Sequence, residues 1–240
     1  MNQILVTEKL YITPEMKRKK LMYKLEFFLS VFLICLLFSY YIYAEYDRNK
    51  SEQVSQQLLE EVQSDTTTKE AKNDDVMIIV VDGDSSNQNN TNNKEVDITS
   101  STYTASNGKK YSTEAVVTIP TIGISYPVLS ETSDDLLEIS VNKYWGPSPN
   151  EVGNYCIVGH NYRNGKMFGR LSKLVNGDIV ELKDLSGRVV KYKVYNKYVV
   201  QPTDTRCTSQ LTNGKKELTL ITCTNYGQER LVLKCREVQI

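Results

Sequence analysis

Three textures follow one another along the chain. Phe27 to Ala44 is uncharged, Glu45 to Ser112 is dominated by Ser, Thr, Asn, Gln and charge, and from Thr113 short β-type runs alternate with turn residues. As a helix, the first stretch is about 27 Å long at 1.5 Å per residue, close to the roughly 30 Å of a hydrocarbon core. The third texture predicts strands at Val116–Ile119 and Gly123–Tyr126, ended by Pro120 and Pro127, and another at Asn154–Val158. A hairpin follows, Asp178–Leu182 and Val189–Val200 turned at Ser186-Gly187, then strands at Leu218–Thr222 and Leu231–Cys235. Only Ser133–Ser140, capped by Thr132 or Ser133, and Lys166–Val175 read as helical. Many short strands over about 125 residues predict a mainly β domain, a closed barrel or a sandwich.

The polar middle cannot bury enough apolar surface to offset its ordering entropy, so it reads as a stalk, with Ser85 to Lys94 nearly pure polar filler. Its start, Glu45 to Glu70, extends the apolar helix for some turns. The run Val76 to Val81 interrupts it and fits either a docked strand or a piece of stalk structure. The expected division is therefore 1–26, an N-terminal tail; 27–44, a membrane anchor; 45–112, a stalk; and 113–240, a catalytic domain.

Charge changes this picture only locally. The chain carries 29 basic and 29 acidic residues, which gives no electrostatic argument for nucleic acid, and none is expected as a partner. Lys17, Arg18, Lys19, Lys20 and Lys24 precede the apolar stretch and predict a cytoplasmic N-terminus, with everything after Ala44 outside. A cleaved signal peptide would want small residues at the cut, where Ile42 is large, and Tyr40, Tyr41 and Tyr43 suit an interfacial belt. An uncleaved single-pass anchor in the cell membrane is the expectation.

Four cysteines lie beyond the anchor, Cys156, Cys207, Cys223 and Cys235. A domain of this size holds its own core without staples, so free thiols are expected, Cys156 and Cys235 as packing residues. Cys223 ends an apolar strand, and after a loop with Asn225 and Gly227, Arg230 opens the next. Paired as a hairpin, the two face each other across its mouth. His160, the one histidine of the chain, ends its own strand after Gly159. A thiol needs a proton partner to act as nucleophile, and a guanidinium can hold a carbonyl and the charge that develops on it. Ordinary thiol and imidazole pKa values leave roughly 1% of molecules with thiolate and imidazolium together at pH 7, so turnover is expected to be slow. No zinc spacing or phosphate-binding loop is present, and no cofactor or metal is expected. Asp134, Asp135 and Glu138 read as a solvated helix start rather than a calcium site.

The set resembles the sortases, membrane-anchored cysteine transpeptidases of Gram-positive bacteria. Thr219-Leu220-Ile221-Thr222-Cys223 is similar to the family's TLxTC signature, Arg230 stands at the expected offset, and Gly159-His160-Asn161 supplies the histidine. Gly153-Asn154, Leu171 and Gly177-Asp178 also match, over roughly Ala115 to Arg236. The run Gly159-His160-Asn161-Tyr162 and the short domain resemble the class D group. The resemblance implies a closed eight-stranded β-barrel that cuts an LPxTG-like sorting signal between Thr and Gly. The Thr carboxyl then passes to an amine of a peptidoglycan precursor or a pilin. It implies Cys223, His160 and Arg230 as catalytic residues, Thr222 as a substrate or loop contact, and Gln201–Asn213 as the segment that takes the Leu-Pro part. An L,D-transpeptidase or a membrane-tethered papain-like peptidase carries its cysteine in a different local setting, and a non-catalytic binding module would make Cys223 structural.

Overall fold

The computed structural model describes residues 14–73, 100–105 and 107–238. The apolar run at Val76–Val81 and the filler at Ser85–Lys94 lie outside the described residues. Helix α1 (Pro14–Asn73) is the first element of the described residues. Among the described residues nine strands follow: β1 (Ser101–Thr104), β2 (Lys110–Ile119), β3 (Ile124–Leu129), β4 (Val141–Trp145), β5 (Gly153–Val158), β6 (Ile179–Asp184), β7 (Val189–Val200), β8 (Lys216–Thr224) and β9 (Glu229–Glu237). One short helix, α2 (Asp134–Ile139), joins β3 to β4.

The strand order is β1-β2-β3-β4-β5-β8-β9-β7-β6, and β6 pairs back onto β2. That pairing closes strands β2 to β9 into the expected eight-stranded barrel. β1 is an extra strand. It shares one edge of β2 with β6, taking Lys110–Thr113 where β6 takes Ala115–Thr118. Closure leaves no long open edge in the wall itself. Alternating residues fill the interior: Leu218 and Leu220 of β8, Leu231, Leu233 and Cys235 of β9, and Tyr155 and Ile157 of β5.

Two expectations differ from the structure. Pro127 does not end its strand, because β4 joins the second edge of β3 only at Val128 and Leu129 and leaves Pro127 no donor to supply there. Lys166–Val175 is not a helix but a series of tight turns with one 3₁₀ turn at Leu171–Lys173. Its apolar periodicity arises because Met167, Phe168, Leu171 and Leu174 all plug the barrel core. Strands β1 and β4 lacked an alternating apolar signal. The predicted helix at Ser133–Ser140 forms, and the Ser133 side chain accepts from the Leu136 N–H as its N-cap.

The packed unit also begins earlier than the sequence suggests. Residues Met1–Asn49 and Lys50–Ile240 form two compact units. In the first, α1 is long and apolar enough to cross a membrane. In the second, Val54, Leu58, Leu59 and Val62 form a stripe that packs on the outside of the wall. Val54 and Leu58 meet Ala105, Tyr111 and Leu129, and Leu59 and Val62 meet Val116 and Leu185. Each buried side chain of this kind contributes about 1.5–3 kcal/mol. A fragment starting at Thr113 would expose that face of the wall to water, so residues 50–65 belong with the barrel rather than with a stalk.

Candidate active site

Three adjacent strands bring the predicted residues to one level of the wall. In the antiparallel β8–β9 hairpin, Cys223 pairs directly with Arg230. In the parallel pair β5–β8, Val158 stands beside Ile221 as the last pair of the ladder, and His160 follows two residues beyond the end of β5. Alternation decides the face. Leu218 and Leu220 point inward, whereas Ile221 belongs to an outer cluster with Val232 and Cys207, flanked by Tyr198 and Val200. Cys223 and Arg230 therefore share the outer face. The site lies on the outside of the wall, over an apolar floor.

The level of His160 is fixed by bonds on both sides of it. The Gly159 N–H donates to the Ile221 carbonyl at 3.2 Å. The Thr222 hydroxyl donates to the Gly159 carbonyl at 2.7 Å, and the Asn161 amide donates to the Cys223 carbonyl at 2.8 Å. Thr222 is buried, with its hydroxyl directed to the end of β5. Gly159 has no room for a side chain: a Cβ there would lie 2.8 Å from Val141 Cγ1 and 2.9 Å from Phe168 Cδ2. Gly159→Ala is expected to push His160 off its level and lower kcat by about 100-fold, more than it lowers Tm; paired kinetics and thermal melts check this.

Each group of the site has a distinct environment. Cys223 is partly exposed, and among the described residues all five cysteines are free. Burial pushes the Cys156 and Cys235 thiols up to about 12 and raises that of Cys207, which makes all three inert. Cys223 is thus the accessible thiol of the barrel unit. The half-buried imidazole of His160 leans on the Tyr162 ring, with centroids 5.1 Å apart. Burial lowers its pKa from the ordinary value, while Glu138 and Asp134 of α2 pull it back up. Arg230 is held through Nη1 by the Gly227 and Glu229 carbonyls at 2.8 and 3.1 Å. Its Nε and Nη2 make no hydrogen bond among the described residues and are available to a ligand.

The segment Gln201–Asn213 between β7 and β8 is anchored from below. Asn154 donates to the carbonyls of Cys207 and Ser209 at 2.9 and 3.1 Å, and Lys234 donates to Cys207 at 3.2 Å. The Thr219 hydroxyl joins Asn154 to Lys234, and Lys234 lies 3.4 Å from Glu217. Lys234 is only 9% exposed, and a lysine is found so deep only when paired. Nothing in the alternation of β9 distinguishes Lys234 from a solvated lysine, so sequence reasoning missed it. Asp134, Asp135 and Glu138 sit on α2, and no cluster able to hold a metal occurs among the described residues.

A family model for the sortase domain matches residues 117–238. The chain belongs to the sortase family. Among solved structures, sortase A from Corynebacterium diphtheriae is 27% identical over 54% of this chain and 62% of that one, with a TM-score of 0.50. Its lid mutant is 25% identical over 56% and 75%, also at 0.50. A Clostridium perfringens sortase D5 transpeptidase is 29% identical over 53% and 79%, at 0.49. No curated protein matches the chain. The family model fixes the family and not the class. As a sortase, the chain is a cysteine transpeptidase with a β-barrel fold.

Proposed function

We propose that this sortase cleaves an LPxTG-like sorting signal between Thr and Gly and joins the Thr carboxyl to an amine of a peptidoglycan precursor or a pilin. The observation that carries the reading is the direct register of Cys223 with Arg230, while the neighbours of His160, Gly159 and Asn161, are hydrogen-bonded to Ile221 and Cys223 of the same strand. Cys223 thiolate attacks the scissile carbonyl, and Arg230 Nε and Nη2 hold the oxyanion. The C–N bond breaks, His160 gives its proton to the departing amine, and a thioester to Cys223 remains. The acceptor amine attacks that thioester, loses its proton to His160, and frees the thiolate. The chemistry needs no cofactor. The segment Gln201–Asn213, pinned over the apolar floor, takes the Leu-Pro part of the signal. The basic cluster before Phe27 keeps the N-terminus cytoplasmic, the anchor Phe27–Ala44 spans the cell membrane, and the barrel works outside.

The test uses the full chain in detergent with an LPxTG peptide and hydroxylamine. A Thr-hydroxamate product is expected. Cleavage independent of the motif would mean a papain-like peptidase instead, and no product with intact binding would mean a non-catalytic module.

The pH profile follows from the state required. With imidazolium and thiolate both needed, the rate is flat between the two pKa values and falls on either side. Because burial lowers the His160 pKa, the acid limb lies below the ordinary histidine range and the plateau is low. Replacing Glu138 by Gln and Asp134 by Asn removes the charges that raise that pKa. The pair is expected to move the acid limb further down and to lower kcat/KM on the plateau by about two- to fivefold, as read from rate–pH curves.

A further inference from the structure

Between His160 and Leu171 the chain makes a tight excursion that the catalytic scheme does not by itself account for. Its two ends meet: the Phe168 N–H donates to the His160 carbonyl at 3.0 Å, and Asn161 bridges Met167 in antiparallel fashion. Met167 is 2% exposed and has φ +47, a left-handed conformation that costs a non-glycine residue about 1–3 kcal/mol unless its surroundings enforce it. What enforces it is the phenol of Tyr126 on β3, which accepts from the Met167 N–H at 3.0 Å. The same phenol donates to the Glu52 carboxylate on α1, at 3.0 and 3.1 Å to its two oxygens. Glu52, Gln56 and Leu59 line a cleft of about 320 Å³ whose other wall includes Tyr126, Asn164, Lys166 and Arg170. The excursion that follows His160 is therefore linked through Tyr126 to the helix as well as to the barrel.

We infer that Tyr126, held by Glu52 of α1, is a positioning residue for His160, so that residues 50–65 are part of the catalytic unit. The phenol touches neither substrate nor reacting atoms. It fixes Met167, Met167 fixes Asn161 across the bridge, and Asn161, the residue after His160, is bonded to the Cys223 carbonyl, while the Phe168 N–H next to Met167 holds the His160 carbonyl itself. The inference rests on His160 as the acid–base group. Removing the phenol oxygen leaves the buried Met167 N–H without its acceptor and releases the strained turn, which shifts the imidazole relative to the sulfur.

The test uses the full chain in detergent and exploits the single histidine, whose imidazole Cε1–H gives one NMR signal. In Tyr126→Phe and Glu52→Ala, that signal is expected to shift or split, and kcat to fall about 10- to 100-fold while KM changes less than about twofold. Glu52→Gln keeps an acceptor for the phenol and is expected to lose clearly less than Glu52→Ala. An unchanged histidine signal in Tyr126→Phe overturns the inference even if activity falls, since the loss would then be one of stability alone. A shifted signal with full kcat overturns it too. Failure of the underlying catalytic reading shows up separately, as activity retained in His160→Ala.

Discussion

Cys223→Ala is expected to abolish the acyl-enzyme and lower turnover by at least about 10⁴-fold. No other thiol can replace it. Cys156, Cys207 and Cys235 are buried, and burial holds their thiols protonated at neutral pH. The sulfur of Cys223, by contrast, is partly exposed over a floor of Ile221 and Val232. The substitution removes one atom from a half-open position, so the fold should be untouched and Tm should move by less than a few degrees. Intact-mass measurement after incubation with sorting-signal peptide checks the result: a thioester adduct on the parent protein and none on the variant. An adduct that persists in Cys223→Ala would remove this residue from the mechanism.

Arg230→Lys is the second large effect, expected to cost about 10²- to 10³-fold in kcat, the scale of losing an oxyanion donor. The charge survives the exchange but the planar fork does not. In the native site, Nη1 is spent on the Gly227 and Glu229 carbonyls, which fixes the plane of the guanidinium and leaves Nε and Nη2 to face a carbonyl. An ammonium has to choose between the turn and the substrate. Single-turnover kinetics should place the loss in acylation, with peptide binding weakened far less. Near-normal acylation in Arg230→Lys would leave Arg230 with a purely structural role in the β8–β9 turn.

How much of this was legible beforehand varies from residue to residue. The strand ending in Cys223, the loop, and Arg230 opening the next strand fix a hairpin register by local spacing alone, and the cross-strand pair is found in that register. The same holds for the β6–β7 hairpin and for the Ser133 cap, which depend on neighbours a few residues away. The family likeness added the closed barrel, which local patterning left open between barrel and sandwich. Segments whose partners are distant in sequence were misjudged. The Lys166–Val175 pattern looked helical because four apolar side chains recur at helix-like spacing. Gly165 and Met167 nevertheless adopt left-handed φ angles, and Gly169 admits the Tyr162 carbonyl so closely that a Cβ would lie 2.1 Å from it.

By itself the sequence determined an apolar segment of spanning length behind a basic cluster and the strand-rich second half, and it singled out one thiol, one imidazole and one guanidinium as candidates. These follow from hydrophobic length, period-two alternation and residue chemistry, all of which are local. Only the tertiary structure decided that Cys223 and Arg230 share the outer face, that Lys234 is a buried anchor for the β7–β8 segment, and that residues 50–65 pack on the barrel. Each of these depends on which surface another element covers, and burial of that kind is set by contacts between residues tens of positions apart.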